Sequence, residues 1–497
     1  MAALLLLLGG CADSSQSVGW SDSDESEGGD TVDKTLVLAR YTGEALDPFL
    51  SKSRTNVELL RLCYVGLFSV NKAYLPECEL AERYEWDQNT VYIFLRSDAR
   101  FSDGHPVTAA DCEGSYQRAK QNDSVFAQNF NWIQSFDAVS DTVFSVTFQS
   151  NGETNLNLLS IPIVRQEISE DGYYLGAGPY CLEKSGVDAV LTRNLYSFRT
   201  PQIEQIGLLD IRDQEALIYN FNYGRIHAIF SDVSEDSAEL RTNGELVSFT
   251  SNQLTFLVTN SAKKDSFLSG DAFTKGVFYL LDRSALVSTA LSGYGDPVWY
   301  PFNPSWQTVV AANLNQDIAS VATANEYFAQ AGIELSGSVR IWKDQPVVLD
   351  LIVNQETASR VAATQEIARQ LTNAGFSVQV RILAWDDYLA AVEKGEFDLY
   401  LAEVLLPQNM DPVCLLTKTV CNSGKVQQDA ALFSPVWHEF LAGTTDLRSV
   451  VNQFRELVPL IPLYFSRDAL AVSMTVSGNF GACEGGLFSG LETWTLK

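Results

Sequence analysis

Short apolar runs alternate with amphipathic segments in the C-terminal half of the chain, and this alternation restricts the possible folds. Val347–Val353, Ser377–Ile382 and Phe397–Val404 are runs typical of buried strands. Two helices are predicted between them, one starting at about Ala358 and one over Trp385–Glu393. Repeated β-α-β units imply parallel pairing, with helices covering both faces of the sheet. The pattern therefore predicts an α/β fold.

A turn followed by a helix is the most distinctive feature of the first half. Asp103-Gly104 is a turn dipeptide. Thr108 is placed to cap a helix, and Asp111 at the third helical position completes a capping box. These local roles account for the residues fully, so we expect them to be structural and not to contact a ligand.

Length and charge exclude several classes of protein. The chain has 497 residues, too many for one hydrophobic core, which predicts at least two lobes. The 62 acidic and 34 basic residues give a formal net charge of −28. Such a charge repels nucleic acid, so no nucleic-acid partner is expected. No stretch reaches the roughly 20 apolar residues needed to span a bilayer.

The start of the chain has the pattern of a lipoprotein signal. Residues 2–8 are Ala-Ala followed by five Leu, and Gly9-Gly10-Cys11 comes next. Leu8-Gly9-Gly10-Cys11 resembles the bacterial lipobox, which predicts lipid attachment at Cys11. An ordinary signal peptide or a buried N-terminal strand is the alternative. Residues 12–33 are acidic and rich in Ser, as expected of a solvated tether, so 1–34 forms a signal and tether.

Cysteine and histidine spacing gives no metal motif. Cys63 with Cys78, and Cys414 with Cys421, are close enough in sequence for local disulfides, although small buried cysteines are the simpler alternative. The three histidines are scattered, and neither CxxC nor HExxH occurs. GxSxG and P-loop motifs are also missing from the sequence. We therefore expect no cofactor, no metal and no enzymatic activity.

Seven short motifs in a fixed order resemble the bacterial extracellular solute-binding proteins of family 5, the oligopeptide-, dipeptide- and nickel-binding group. Each motif alone is weak, but together they extend over most of the chain. They are Phe101-Ser102-Asp103-Gly104, Gly176–Tyr180, Leu281-Asp282-Arg283, Gly293 with Asp296-Pro297, Gly395–Leu399, Asp411-Pro412 and Ile461–Tyr464.

The resemblance implies a two-lobe fold of the type II periplasmic-binding-protein class, with an additional subdomain inserted in the first lobe. Lobe 1 would comprise 35–262 and 466–497, with the insertion at about 55–175, and lobe 2 would comprise 263–465. The implied function is capture of a peptide or similar small solute in the interlobe cleft and delivery to ABC transporter permease subunits. The protein would be an extracytoplasmic monomer, lipid-anchored to the cell membrane.

Two other functions remain open on the same fold. One is a surface sensor for a signalling peptide, and the other is a binder of a non-peptide ligand such as a sugar or a nickel chelate.

Aromatic residues on predicted loops and element ends are candidates for the walls of the cleft. Tyr41 follows the first strand, and Trp299 and Tyr300 lie in a Pro-rich stretch. Trp385 begins a helix after a strand, where helix N-termini face the ligand in open α/β sheets. For each of them, simple packing within a lobe is the alternative.

Glu403 and Asp411 are candidate partners for a ligand ammonium group. The resemblance implies an Asp just ahead of the Asp-Pro pair, but Pro407 or Gln408 occupies that place here. A carboxylate in a closed cleft needs a cationic partner. Either Glu403 or Asp411 could provide it, unless this protein recognises no free peptide amine.

Overall fold

The computed structural model describes residues 35–186, 188–233, 244–314, 316–417 and 426–497. Predictions that concern Cys11, the tether and Cys421 lie outside these ranges. Within them, no helix is both long and apolar enough to cross a membrane.

Helices and strands follow one another through both halves of the chain. The α-helices are α1 (Arg54–Cys63), α2 (Ala109–Ala119), α3 (Gln214–Asn222), α4 (Asp271–Leu280), α5 (Arg283–Ala290), α6 (Gln307–Ala312), α7 (Val321–Gln330), α8 (Ala358–Asn373), α9 (Trp385–Lys394), α10 (Val426–Leu441) and α11 (Leu447–Leu457). The strands of the first half are β1 (Leu36–Tyr41), β2 (Phe68–Val70), β3 (Pro76–Cys78), β4 (Ala81–Asp87), β5 (Thr90–Leu95), β6 (Ile133–Ser140), β7 (Val143–Phe148), β8 (Val164–Ile168), β9 (Tyr174–Gly176), β10 (Tyr180–Ser185), β11 (Asp188–Arg193), β12 (Gln205–Ile211) and β13 (Ala228–Asp232). Those of the second half are β14 (Gly244–Thr259), β15 (Gly295–Pro297), β16 (Glu334–Ser336), β17 (Val339–Trp342), β18 (Gln345–Pro346), β19 (Val348–Asn354), β20 (Ser377–Leu383), β21 (Leu399–Leu405), β22 (Ile461–Ser473), β23 (Val476–Ser477) and β24 (Thr495–Leu496).

A seven-stranded mixed sheet contains the predicted β-α-β units. Its order is β13-β22-β14-β21-β19-β20, and β15 also pairs with β22. Strand β19 pairs in parallel with both β20 and β21, which confirms the predicted parallel unit. The sequence did not indicate the other half of the sheet, where β14 pairs antiparallel with β21 and β22.

Apolar clusters cover both faces of this sheet, as the apolar strands require. Ile352 and Tyr400 belong to a cluster that includes Trp437. Leu351 and Leu401, their neighbours along the strands, belong to a different cluster. Because successive side chains of a strand point to opposite faces, the sheet lies between two cores.

A third core unites the two ends of the described chain. It surrounds the sheet β1-β12-β11-β10 and the sheet β4-β5-β7-β6. Leu36 and Ile93 from the first part of the chain share this core with Leu470 and Trp494 from the last part. Apolar burial therefore joins segments more than 370 residues apart in sequence.

The predicted capping box at the start of α2 is confirmed. The Thr108 hydroxyl accepts from the Asp111 N–H at 3.4 Å, and the Thr108 N–H donates to Asp111 Oδ2 at 2.9 Å. Cys63 and Cys78 are free thiols, as are the four other cysteines of the described ranges. The possible local disulfide between these two residues does not occur in this structure.

Replacing Thr108 by Ala should lower the free energy of unfolding by about 1 kcal/mol, because the N-terminus of α2 loses its capping hydroxyl. The midpoint of urea unfolding measures the loss. Thr200→Ala, at an exposed position outside helices and strands, is the matched control and should leave the midpoint unchanged. Equal midpoints for the two variants would contradict the capping role.

Candidate functional site

The carboxyl ends of the three parallel strands meet at one edge of the seven-stranded sheet. Glu356 follows β19, Trp385 follows β20, and Glu403 lies near the end of β21. A cavity of about 270 Å³, here called the polar cavity, opens at this edge. Its lining includes Asp232, Gln253, Glu356, Arg360, Glu403 and Ser466. Ligands of open α/β sheets bind at this kind of edge.

Glu403 is held in place by three neighbours. The Gln253 side chain donates to Oε1, and the Thr255 hydroxyl donates to Oε2 at 3.4 Å. Arg360 Nη1 lies 3.9 Å from Oε1. Burial raises the pKa of Glu403 above its usual value, although Arg360 opposes the shift. The cavity therefore contains a fixed acid with a cation nearby.

Trp385 is connected to the polar cavity through Glu356, one of the residues that line it. Its N–H, at the start of α9, donates to Glu356 Oε1 at 2.9 Å, and the Asn354 side chain donates to the other Glu356 oxygen at 2.7 Å. The indole is 47% exposed and stacks on Tyr388, with ring centroids 5.9 Å apart. An exposed indole with a fixed backbone can provide an apolar wall beside polar anchors.

Four carboxylates form an acidic belt next to this cavity: Asp232, Asp468, Glu484 and Glu58. Asp232 on β13 and Asp468 on β22 are directly opposite each other in the antiparallel register. Side chains at opposite positions have Cβ atoms about 5 Å apart, and like charges there are destabilising. Burial and the Glu484 carboxylate raise the pKa of Asp468 well above its usual value. Repulsion within the belt is thus built into the fold.

Two guanidinium groups partly offset the charge of the acidic belt. Arg54 Nε lies 2.8 Å from Glu58 Oε1, and Arg54 Nη1 lies 3.0 Å from Glu484 Oε1. Arg61 Nη1 lies 2.8 Å from the same oxygen of Glu58. Burial opposes charge on Arg54, but the surrounding carboxylates raise its pKa above the usual value.

A larger cavity of about 690 Å³ borders the opposite end of the acidic belt, at Glu58. Its wall includes Gln408, whose side-chain oxygen accepts from the Ser160 hydroxyl at 2.9 Å. Arg199 on another wall pairs with the buried Glu79. Gly485 approaches so closely that a Cβ there would collide with the Val70 carbonyl. The volume is in the range of small-molecule sites.

Three predicted aromatic residues lie outside both cavities. Trp299 and Tyr300 are fully buried in two different apolar cores, and the Arg283 guanidinium lies 5.1 Å from the centre of the Trp299 ring. Tyr41 is half-buried at the end of β1, where its N–H donates to the Asn56 side chain at 2.9 Å. In this structure all three contribute to packing.

Asp411 uses both of its carboxylate oxygens within the protein. The Trp132 indole donates to Oδ2 at 2.6 Å, and the Val413 N–H donates to Oδ1 at 2.9 Å, so Asp411 caps the 3₁₀ turn Pro412–Leu416. Burial raises the pKa of Asp411, although the bond from Trp132 opposes the shift. Glu403 lines the polar cavity and Trp385 is bonded to Glu356 in its lining, whereas Asp411 accepts a hydrogen bond from Trp132.

Sequence reasoning missed the four residues of the acidic belt. One signal was available, because Asp468 interrupts the apolar run of Ile461–Ser473. The pairing of β13 with β22 joins residues more than 230 positions apart, and no local pattern indicates such pairing. Within the described residues, no group of three or more His, Cys, Asp or Glu side chains is arranged to hold a metal ion.

A family model and a curated relative each match most of this chain. The model of "Bacterial extracellular solute-binding proteins, family 5 Middle" matches residues 76–423, more than half of the chain. The glutathione-binding protein GsiB of Salmonella typhimurium is 24% identical over 367 residues, which cover 70% of this chain and 69% of that protein.

Solved structures show the same fold at low sequence identity. NikA from Brucella suis, in complex with Fe(III)-EDTA, has a TM-score of 0.71 at 19% identity and covers 94% of this chain and 100% of its own. The periplasmic murein tripeptide-binding protein MppA, in an unliganded open form, has a TM-score of 0.71 at 17% identity over 93% and 97% of the two chains. The fold is therefore that of the type II periplasmic solute-binding proteins, as the motifs predicted.

Replacing Asp411 by Ala should lower the free energy of unfolding by about 2 kcal/mol, because a cap and a charge-assisted hydrogen bond are lost together. Trp132→Phe leaves the cap in place and removes the hydrogen bond together with a part of the ring that packs on the core, and should cost about half as much. Urea unfolding of both variants measures the difference. Full stability of Asp411→Ala, combined with lost ligand binding, would instead place Asp411 in the binding site.

Proposed function

The chain belongs to the bacterial extracellular solute-binding proteins of family 5, and from that premise we propose that it captures a small solute at the polar cavity. One observation supports this assignment above all. Glu403, which the sequence singled out, lines one cavity at the carboxyl edge of the sheet together with Arg360, and the backbone N–H of Trp385 donates to Glu356 in the same lining. Fixed polar groups beside an exposed aromatic wall are the usual elements of a small-molecule site.

The proposed ligand is a peptide or a similar small solute. The names of GsiB and MppA describe binding of glutathione and of a murein tripeptide, and NikA was solved with a metal chelate. All three ligands are small and polar, which suits a cavity lined by carboxylates, an amide and a guanidinium. Of the two predicted ammonium partners, Glu403 is the better candidate, because it lines the polar cavity, whereas Asp411 caps a 3₁₀ turn and accepts from Trp132.

Capture would involve closure of two lobes. Lobe 1 would comprise 35–262 and 466–497, and lobe 2 would comprise 263–465. Two of the apolar cores follow this division approximately, whereas the core that contains Trp437 also includes Val70 and Tyr74 and crosses it. One core draws on residues 36–228 and 470–494, and another on residues 257–464. The long strand β22 extends across the proposed boundary. Hinges of this kind consist of a few residues that absorb the backbone change.

The liganded form would deliver its solute to the permease of an ABC importer while anchored to the membrane by lipid at Cys11. The Leu8-Gly9-Gly10-Cys11 motif supports the anchor, and family membership supports a role in transport. The segment that follows Cys11 is acidic and rich in Ser, a composition that suits a tether.

A thermal-shift screen of the full chain carrying Cys11→Ser tests solute capture. The panel contains di- and tripeptides, glutathione, sugars and a nickel–histidine chelate. A ligand at a hundred times its dissociation constant should stabilise the protein by about 2.7 kcal/mol. Trp385→Ala and Glu403→Gln should weaken that ligand at least tenfold, whereas Tyr223→Ala, exposed after α3, should not. If the ligand protects both cavity variants as well as the parent, the assignment to this cavity is wrong.

Metabolic labelling of producing bacteria with palmitate tests the anchor. The parent chain should incorporate label and sediment with membranes. Cys11→Ser should lose both properties, because no other residue supplies the lipid-modified thiol. Cys78→Ser, which removes an exposed free thiol, is the control and should be labelled normally. Labelling that persists in Cys11→Ser would contradict the lipobox interpretation.

A further inference from the structure

Arg360 is the one Lys or Arg among the described residues that line the polar cavity. Its Nη2 donates to the Thr357 hydroxyl, and its Nη1 lies 3.9 Å from Glu403 Oε1, which is too far for a hydrogen bond. Its Nε is buried, and none of the residues that the structure describes accepts from it. A guanidinium group has five donor hydrogens, so most of the hydrogen-bonding capacity of Arg360 is unused.

The position of Arg360 in its helix also favours a negative charge nearby. Arg360 lies in the first turn of α8, and three residues from the start of this helix line the polar cavity. Thr357 is the N-cap residue, but its hydroxyl caps no backbone N–H and accepts from Arg360 instead. No acidic residue lies in the first turn. The positive end of the helix dipole therefore reinforces the charge of the guanidinium group.

Glu403 supplies the opposite charge at the same place. Its oxygens accept from the Gln253 side chain and the Thr255 hydroxyl, and each carboxylate oxygen can accept a second hydrogen bond. Burial raises the pKa of Glu403, although Arg360 opposes the shift. An ammonium group beside Glu403 would favour its ionised form. The polar cavity therefore presents an acid and a guanidinium group side by side, each with capacity for another partner.

A ligand with a single charge would match this arrangement poorly. The carboxylates of Asp232 and Glu356 line the cavity together with that of Glu403, so a simple anion would be repelled. A simple cation beside Glu403 would lie close to the guanidinium group of Arg360 and would leave its Nε without an acceptor. A zwitterion avoids both costs, because each of its charges meets an opposite charge.

We propose that Arg360 and Glu403 together hold the head group of an α-amino acid, whose carboxylate binds Arg360 and whose ammonium group binds Glu403. This inference rests on the proposed function, since it assigns the ligand class of the polar cavity. Free amino acids carry both charges on one carbon, and so do peptides that are linked through a side-chain carboxyl group. An ordinary peptide carries its terminal ammonium and carboxylate groups at opposite ends. The volume of about 270 Å³ suits a compact head group.

The test uses titration calorimetry with the full chain carrying Cys11→Ser. Two probes have the head group, L-glutamine and γ-glutamyl-alanine, and each is also prepared with its amine acetylated or its α-carboxylate amidated. A further probe, α-glutamyl-alanine, has the same atoms as the γ-linked isomer but no such head group. The variants are Arg360→Gln and Glu403→Gln. Arg369→Gln is the matched control, because Arg369 lies farther along α8 and pairs with Glu366.

The parent should bind at least one of the two free probes, and about tenfold or more tightly than either blocked form, because each block removes a charge-assisted contact. If γ-glutamyl-alanine is bound, its α-linked isomer should be weaker by a similar factor. Arg360→Gln should bind the free and the amidated forms equally, and Glu403→Gln should bind the free and the acetylated forms equally. Arg369→Gln should match the parent. A merely structural role of either residue would not produce these crossed losses of preference.

Three results would overturn the inference. They are the absence of binding of both free probes, binding of a blocked form by the parent as tightly as its free form, and an unchanged preference for the free carboxylate in Arg360→Gln. Thermal melting checks that each variant is folded. Should Arg360→Gln fail to fold, the blocked forms tested on the parent decide the question.

The proposed function is judged separately from this inference. A solute without an α-amino acid head group that stabilises the parent, but not Glu403→Gln, would sustain capture at the polar cavity and overturn the ligand class. A panel in which no solute stabilises the parent would contradict the proposed function itself.

Discussion

The antiparallel pairing of β14 with β22 is the interaction on which the rest of the molecule depends. It joins Gly244–Thr259 to Ile461–Ser473 over almost the full length of both strands, with register shifts after Thr250 and Thr255. On one side β21 continues the sheet into the parallel β-α-β unit, and on the other side β13 attaches to β22. Gln253, Ser466 and Asp468 all lie on this pair of strands, so the backbone that holds the sheet together also positions the site.

The register of these strands explains why charge gathers at one place. Asp468 faces Asp232 across one strand boundary, and its neighbour Arg467 pairs with Asp296 at 2.6 Å. Adjacent residues of a strand point to opposite faces, so the cation on one face cannot neutralise the acid on the other. Alternation along the strand therefore separates the Arg467–Asp296 salt bridge from the cross-strand pair of Asp468 and Asp232, although Arg467 and Asp468 are neighbours in sequence.

Local signals predicted the local structure well. The β-α-β alternation predicted the parallel unit, and Thr108 with Asp111 predicted the capping box. Both features could be predicted because they depend on residues close in sequence. For the site, Trp385 and Glu403 could be found from their places at strand ends. The acidic belt could not, since it forms only when β13, β22, α1 and the loop containing Glu484 meet. Trp299 is the opposite case, a candidate that the structure places away from the cavity. Its Pro-rich surroundings indicated a loop, but nothing in the sequence indicated the buried core that contains it.

The late position of β22 in the chain also governs the order in which the fold can be completed. Strands β13, β14 and β15 all use β22 as a partner, yet β22 begins at Ile461, more than 160 residues after the last of them. Until it emerges from the ribosome, these strands keep open edges, and the core that needs Leu470 and Trp494 is incomplete. Non-local pairing of this kind is slow to form. The central sheet and the core that unites the two ends of the described chain are therefore completed only after β22 has been made.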